Sequence, residues 1–144
     1  MIYVSRRNVD KRYINEGSFV PTYCGADGKV CYYGEHKPSV DTPIQQRLYE
    51  LFPQMNYMLH AHCYINLPGT VYTQHPVPCG ALEEVQEILN ATMDSDIQNN
   101  TLITVNLVGH GWIIMAASMN DINSIPYEAF YARAMPERLN GVKK

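Results

Sequence analysis

A chain of 144 residues, 46% hydrophobic and 17% charged, has the composition of one ordinary globular domain with enough apolar residues to bury a core. A net charge of −3 argues against a nucleic-acid-binding surface, and Arg6-Arg7 and Lys11-Arg12 are too few basic residues to restore one. No apolar run approaches the roughly 18 residues of a membrane span, and Met1 to Arg7 lacks the apolar stretch of a secretory leader.

The chain is therefore expected in the cytoplasm. Its four cysteines, Cys24, Cys31, Cys63 and Cys79, are expected as thiols that pack like small buried hydrophobes, since their spacing fits no C-x-x-C motif. The 11 tyrosines are expected mainly as half-buried strand or interface residues.

In chain order, the first 36 residues predict short strands and turns. Ala26-Asp27-Gly28-Lys29 is a turn signal between the β-prone runs Ser18 to Cys24 and Val30 to Tyr33, which predicts a hairpin. Asp41-Thr42-Pro43 opens a helix: Thr42 suits the cap, Pro43 the first helical position and Gln45 a capping box. It is expected to end near Phe52, before Pro53, with Ile44, Leu48 and Leu51 on its buried face.

Asn56 to Tyr64 predicts a buried strand, Leu67-Pro68-Gly69 a turn, and Val71 to Val77 an extended segment in which Pro76 bars a regular central strand. A second helix is expected from Gly80 to about Met93. Leu82, Val85, Ile88 and Leu89 mark its apolar side, and Glu83, Glu84 and Glu87 load its early turns favourably for the helix dipole. After a polar loop, Leu102 to Val108 and Trp112 to Ala117 predict two strands meeting at Gly109-His110-Gly111. A last helix is expected over Tyr127 to Ala134, and Val142-Lys143-Lys144 reads as a solvated tail. The order of elements predicts an α/β fold, a mostly antiparallel central sheet with helices on its faces, as a single domain over 1–144.

His60 and His62 stand two apart on a predicted strand, where alternate side chains share a face, so both imidazoles can reach one ion. Five histidines make such a pair by chance in roughly one chain of this size in seven, so the pair alone is a weak signal. His110 strengthens it. Flanking glycines allow a turn histidine to swing beside a neighbouring strand, and three histidines with one open position are a catalytic zinc arrangement. Local sequence reads Asp41 as a helix cap, and His36 and His75 as exposed or rim residues.

Lys37-Pro-Ser-Val-Asp-Thr-Pro-Ile-Gln-Gln-Arg-Leu-Tyr49, Phe52-Pro53 and Leu59-His-Ala-His62 together resemble the core of the class II aldolase/adducin family. Val77-Pro-Cys-Gly-Ala-Leu-Glu-Glu84 resembles the family's next helix start, and Val105-Asn-Leu-Val-Gly-His-Gly111 its Asn-His-Gly segment. The resemblance covers about residues 2–118. It implies the layered fold of that family and a zinc ion, or another divalent metal, on His60, His62 and His110. It makes Asp41 either a fourth ligand or the proton-transfer group, and the Asp-Thr-Pro context looks closer to the ribulose-phosphate 4-epimerase branch. It implies an aldolase- or epimerase-like reaction on a sugar or sugar phosphate through a metal-stabilised enediolate, in a homo-oligomer such as a tetramer. A tyrosine, Tyr127 or Tyr131, is the implied acid.

Departures from the family bear on the substrate. The chain is expected to lack the family's N-terminal helix and Gly-Asn-x-Ser segment. Ser5-Arg6 replaces a phosphate-binding turn, and Val40 replaces the second serine of Pro-Ser-Ser, leaving Ser5, Arg6 and Ser39 as the substrate-binding candidates. No counterpart of the epimerase's catalytic aspartate is found between His62 and Pro78. The metal half of the family site is thus expected to be present and the phosphate half reduced. Two other readings follow: a catalytically degenerate, adducin-like metal-binding or assembly domain, and a fragment of a longer aldolase-family protein.

Overall fold

The computed structural model describes residues 1–137; Val142-Lys143-Lys144 and the side chain of Tyr131 lie outside the described residues. The fold is mixed α/β, with two sheets rather than one. The first sheet is an antiparallel meander of β1 (Ile2–Ser5), β2 (Phe19–Cys24) and β3 (Val30–Tyr32), in that order. The hairpin expected between Ser18 and Tyr33 forms here. Its turn closes with Gly25 N–H donating to the Lys29 carbonyl and Lys29 N–H to the Asp27 carboxylate, while Gly28 takes φ +77°.

The second sheet has the order β4-β7-β6-β5, from β4 (Tyr57–Ala61), β5 (Val71–Tyr72), β6 (Leu102–Leu107) and β7 (Gly111–Ala116). β4 and β6 flank β7 antiparallel, and short β5 joins β6 in parallel. Residues 111–116 are all buried, because this sheet is covered on both faces. Alternation sends Ile113 and Met115 of β7 to one face, with Ile103, Val105 and Leu107 of β6. Ile44, Leu48 and Phe52 of helix α1 (Thr42–Leu51) and its C-cap cover that face, with Val85, Ile88 and Ala91 of helix α2 (Glu83–Asp94). Trp112 and Ile114 point the other way, into a smaller cluster with Ile65, Ile125 and Ala129.

Several expectations need correcting. α1 begins at Thr42, so Thr42 is helical rather than the cap; its hydroxyl donates to the Ser39 carbonyl at 2.6 Å, and no capping box with Gln45 forms. α2 begins at Glu83 rather than Gly80, and Leu82 at its N-cap is 55% exposed instead of buried. β4 stops at Ala61, three residues short of Tyr64. Tyr127–Tyr131 is a 3-10 turn rather than a regular helix, and a short helix α3 (Met119–Asn123) precedes it, capped by Ser118 accepting from Asp121 N–H.

The cysteines are free thiols, but Cys24 and Cys79 are exposed and Cys31 and Cys63 only half-buried, so none is a buried hydrophobe. Tyr3, Tyr23, Tyr32 and Tyr57 lie on strands yet are exposed rather than half-buried. Among the described residues, no helix is long and apolar enough to cross a membrane.

Candidate metal centre

The three candidate histidines meet at one end of the four-stranded sheet. His60 pairs with Ile113 in the β4–β7 ladder and so shares the face that α1 and α2 cover. His62 follows two residues later, just beyond the strand. His110 comes from the turn between β6 and β7, closed by His110 N–H donating to the Leu107 carbonyl at 3.0 Å. The glycines around His110 serve the expected purpose. Gly109 takes φ +73° and Gly111 φ +152°. A Cβ on Gly111 would overlap the Ala61 carbonyl oxygen and come within 2.8 Å of His62 Cα. The turn therefore lies directly against the chain that carries His60 and His62.

The three imidazoles form a nearly equilateral group, with ring centroids 5.0, 4.7 and 5.1 Å apart for the His60–His62, His60–His110 and His62–His110 pairs. One nitrogen from each lies within 4.8 Å of the others. Tetrahedral coordination with metal–nitrogen distances of about 2.0–2.1 Å places ligand nitrogens about 3.3 Å apart, within reach of small side-chain rotations.

Two of the rings are already oriented. His60 Nδ1–H donates to the Trp112 carbonyl at 2.8 Å, and His110 Nδ1–H to Glu84 Oε1 at 2.7 Å. A carbonyl and a carboxylate only accept, so each bond puts the proton on Nδ1 and the lone pair on Nε2. Those two Nε2 atoms are buried and have no hydrogen-bond partner among the described residues. Burial also lowers the His60 pKa, with His110 and His62 adding to the shift against the opposing Trp112 carbonyl and Asp41, which favours the neutral imidazole that a metal requires. Unpaired buried nitrogens are costly, and two of them on rings whose centroids are 4.7 Å apart fit a cation that accepts their lone pairs. The donor set of three imidazoles suits zinc and its borderline neighbours alike.

Asp41 occupies the N-cap position of α1, yet its side chain makes no capping bond. Its carboxylate instead lies 3.9 Å from His60 Nε2, with both side chains 13% exposed, and accepts from the Cys79 thiol at 3.5 Å. The expected cap position is thus occupied, but without the capping bond. The carboxylate is turned to the histidines, one step outside the three-nitrogen group.

Ser5, Arg6 and Ser39 are brought together as a backbone seam. Ser39 N–H donates to the Ser5 carbonyl at 3.0 Å, Arg6 bridges to Pro38, and the Ser39 hydroxyl accepts from Asp41 N–H at 3.3 Å. They attach the first sheet to the loop that carries Asp41. Tyr127 lies on the 3-10 turn and is 71% exposed. His36 and His75 are exposed as expected; His75, on the loop before α2, pairs with Glu87 of α2.

Glu84 is the residue that sequence reasoning missed. Expected only to load the first turn of α2, it is 5% exposed and bonded to His110. Burial raises its pKa, with His110 opposing the shift. A cavity of about 990 Å³ lies elsewhere, among residues such as Tyr49, Met55 and Tyr57, and includes none of these histidines. The histidine cluster, and not this cavity, gathers side chains that could hold a metal ion. Comparison with protein families, with curated proteins and with solved structures found no match for this chain.

Proposed function

We propose that this protein is a metal-dependent enzyme of the class II aldolase/adducin type, acting on a sugar or sugar phosphate by aldol cleavage or epimerisation. The observation that carries this is the grouping of three histidines close enough to share an ion, two of them, His60 and His110, with a buried Nε2 that has no partner among the described residues. The motif order from Pro38-Ser39 through His60-Ala61-His62 to Gly109-His110-Gly111 supports the family, as does a sheet with α1 and α2 packed on one face.

His60, His62 and His110 would hold the ion, with zinc the first choice. When bound, it supplies Lewis acidity toward adjacent hydroxyl and carbonyl oxygens, which both reactions of such a substrate need. Asp41 stands next to the cluster with an uncapped, largely buried carboxylate. It serves either as an additional ligand or as the group that moves a proton at a substrate carbon or oxygen. Cys79, hydrogen-bonded to Asp41, helps to orient that carboxylate. Ser39, through its bond to Asp41 N–H, fixes the backbone from which Asp41 projects.

Val40, 46% exposed where the family has a second serine, favours one further reading: a metal-binding domain that has lost turnover and serves in assembly. One experiment separates the two. Purified protein is assayed for bound metal, and then for cleavage and epimerisation of a panel of free and phosphorylated ketoses. The enzyme reading expects about one zinc per chain and turnover that is lost in His60→Ala/His62→Ala. Zinc binding without turnover across the panel supports the assembly domain. Retention of zinc by the double variant would sink both.

A further inference from the structure

Glu84 is buried where its own helix does not require it. It is the second residue of α2, whose neighbours Glu83 and Gln86 face solvent, and a carboxylate in the first turn of a helix gains from the dipole while fully hydrated. Instead its side chain is 7% exposed, as is that of His110, and the two are joined at 2.7 Å, the length of a charge-assisted hydrogen bond. Burying a carboxylate is unfavourable unless a partner compensates, and the partner here is the imidazole whose other nitrogen is unpaired and buried in the histidine cluster.

We propose that Glu84 is the positioning residue of the metal centre. It accepts the Nδ1–H of His110, confines that ring to the tautomer with a lone pair on Nε2, aims Nε2 at the cluster, and strengthens it as a donor. The proposal rests on the three histidines being a metal site. His60 receives the equivalent support from a neutral carbonyl, that of Trp112, so Glu84 supplies the centre's one charged hydrogen-bond acceptor to a ligand ring among the described residues. His62, exposed and beyond the strand end, completes the set from the solvent side.

The alternative is a purely structural tether from α2 to the β6–β7 turn. Zinc affinity, measured by competition with a chromophoric chelator on the full chain, separates the two. Outer partners of metal-bound histidines typically change affinity by about 10–100-fold. Glu84→Leu is expected to weaken zinc binding within that range. Glu84→Gln keeps an acceptor but loses the charge, and is expected to weaken binding several-fold. In a His110→Ala background, Glu84→Leu is expected to cause no further loss, because the ring it orients is gone. Nitrogen-15 spectra of the metal-free protein provide a readout that needs no metal: His110 is expected as the Nδ1–H tautomer in the wild type and in Glu84→Gln, and as a tautomer mixture in Glu84→Leu.

Wild-type affinity in Glu84→Leu, or an equal further loss in the His110→Ala background, would overturn the proposal and leave the metal site standing. A wild-type protein that binds no zinc would overturn the metal site and this proposal with it. If Glu84→Leu does not fold, unchanged affinity in Glu84→Gln overturns the proposal, and a several-fold loss with the tautomer retained upholds it.

Discussion

The tightest geometric demand around the histidine cluster is made by Gly111, a residue with no chemistry of its own. Its φ of +152° and the closeness of Ala61 and His62 mean that a methyl group there meets backbone, not a side chain that could swing away. Gly111→Ala must therefore push the end of β4 off β7 and move His60 and His62 away from His110. The expected result is a lower melting temperature together with a loss of zinc affinity greater than about tenfold, the scale on which ligand misplacement acts. Gly28→Ala is the control: Gly28 also has positive φ, but open space surrounds it, so the cost is backbone strain of about 1–2 kcal/mol and zinc binding is untouched. Identical melting and zinc titration curves for Gly111→Ala and wild type would refute this account. The histidines themselves were legible in the sequence, because a two-residue spacing at a strand end and glycines around a turn are local signals, although His62 lies just past β4 rather than on it. Glu84 was not. Glu83, Glu84 and Glu87 look alike on a helix start, and only the packing of α2 on the sheet decides that Glu84 is turned inward. Asp41 lies between these cases: its place at the helix start was legible, but its turning away from the cap was not.

At the level of elements, β6 and β7 were legible because a strand covered on both faces is written as a continuous apolar run. β5 was harder: two residues in a proline-rich stretch carry no period, and its parallel pairing depends on β6. α3 is too short to show helical spacing, although Ser118 three residues before Asp121 does carry the signature of a reciprocal cap. Splitting the β structure into two sheets was not visible at all, since strand order is set by long-range pairing. One polar residue inside an apolar strand carries unusual weight. Asn106 of β6 is fully buried and bonds the Ile65 backbone twice, its amide donating to the Ile65 carbonyl at 2.8 Å and its oxygen accepting from Ile65 N–H at 3.0 Å. It thereby holds the segment that follows His62 as a ladder rung would. Asn106→Leu removes both bonds and leaves two buried backbone groups unpaired, at about 1–3 kcal/mol each. The expected loss of stability is about 3 kcal/mol in urea unfolding, with the m-value unchanged. A loss below about 1 kcal/mol would show that the Ile65 segment does not depend on Asn106.

At the level of the molecule, the candidate centre ties together parts of the chain that the fold alone holds only at their edges. His60 and His62 come from the end of edge strand β4, and His110 from a turn at the same end of the sheet. The starts of α1 and α2 bring Asp41 and Glu84 to the same place. Without an ion, two buried imidazole nitrogens stay unpaired there. A ligand that binds only the folded state stabilises it by mass action, about 2.7 kcal/mol at a hundredfold excess over its dissociation constant. For a domain of this size that corresponds to a rise of about 5–10 °C in melting temperature. Scanning calorimetry of the wild type should therefore show a higher transition with zinc than with chelator. The difference should grow with free zinc and disappear in His60→Ala/His62→Ala. The variant matters because zinc also binds cysteines and histidines of unfolded chains nonspecifically, which lowers the transition rather than raising it. A wild-type transition that is the same with zinc and with chelator would mean that the cluster is a packed group of histidines with no resident ion. A rise of equal size in the double variant would place the stabilising ion elsewhere on the molecule.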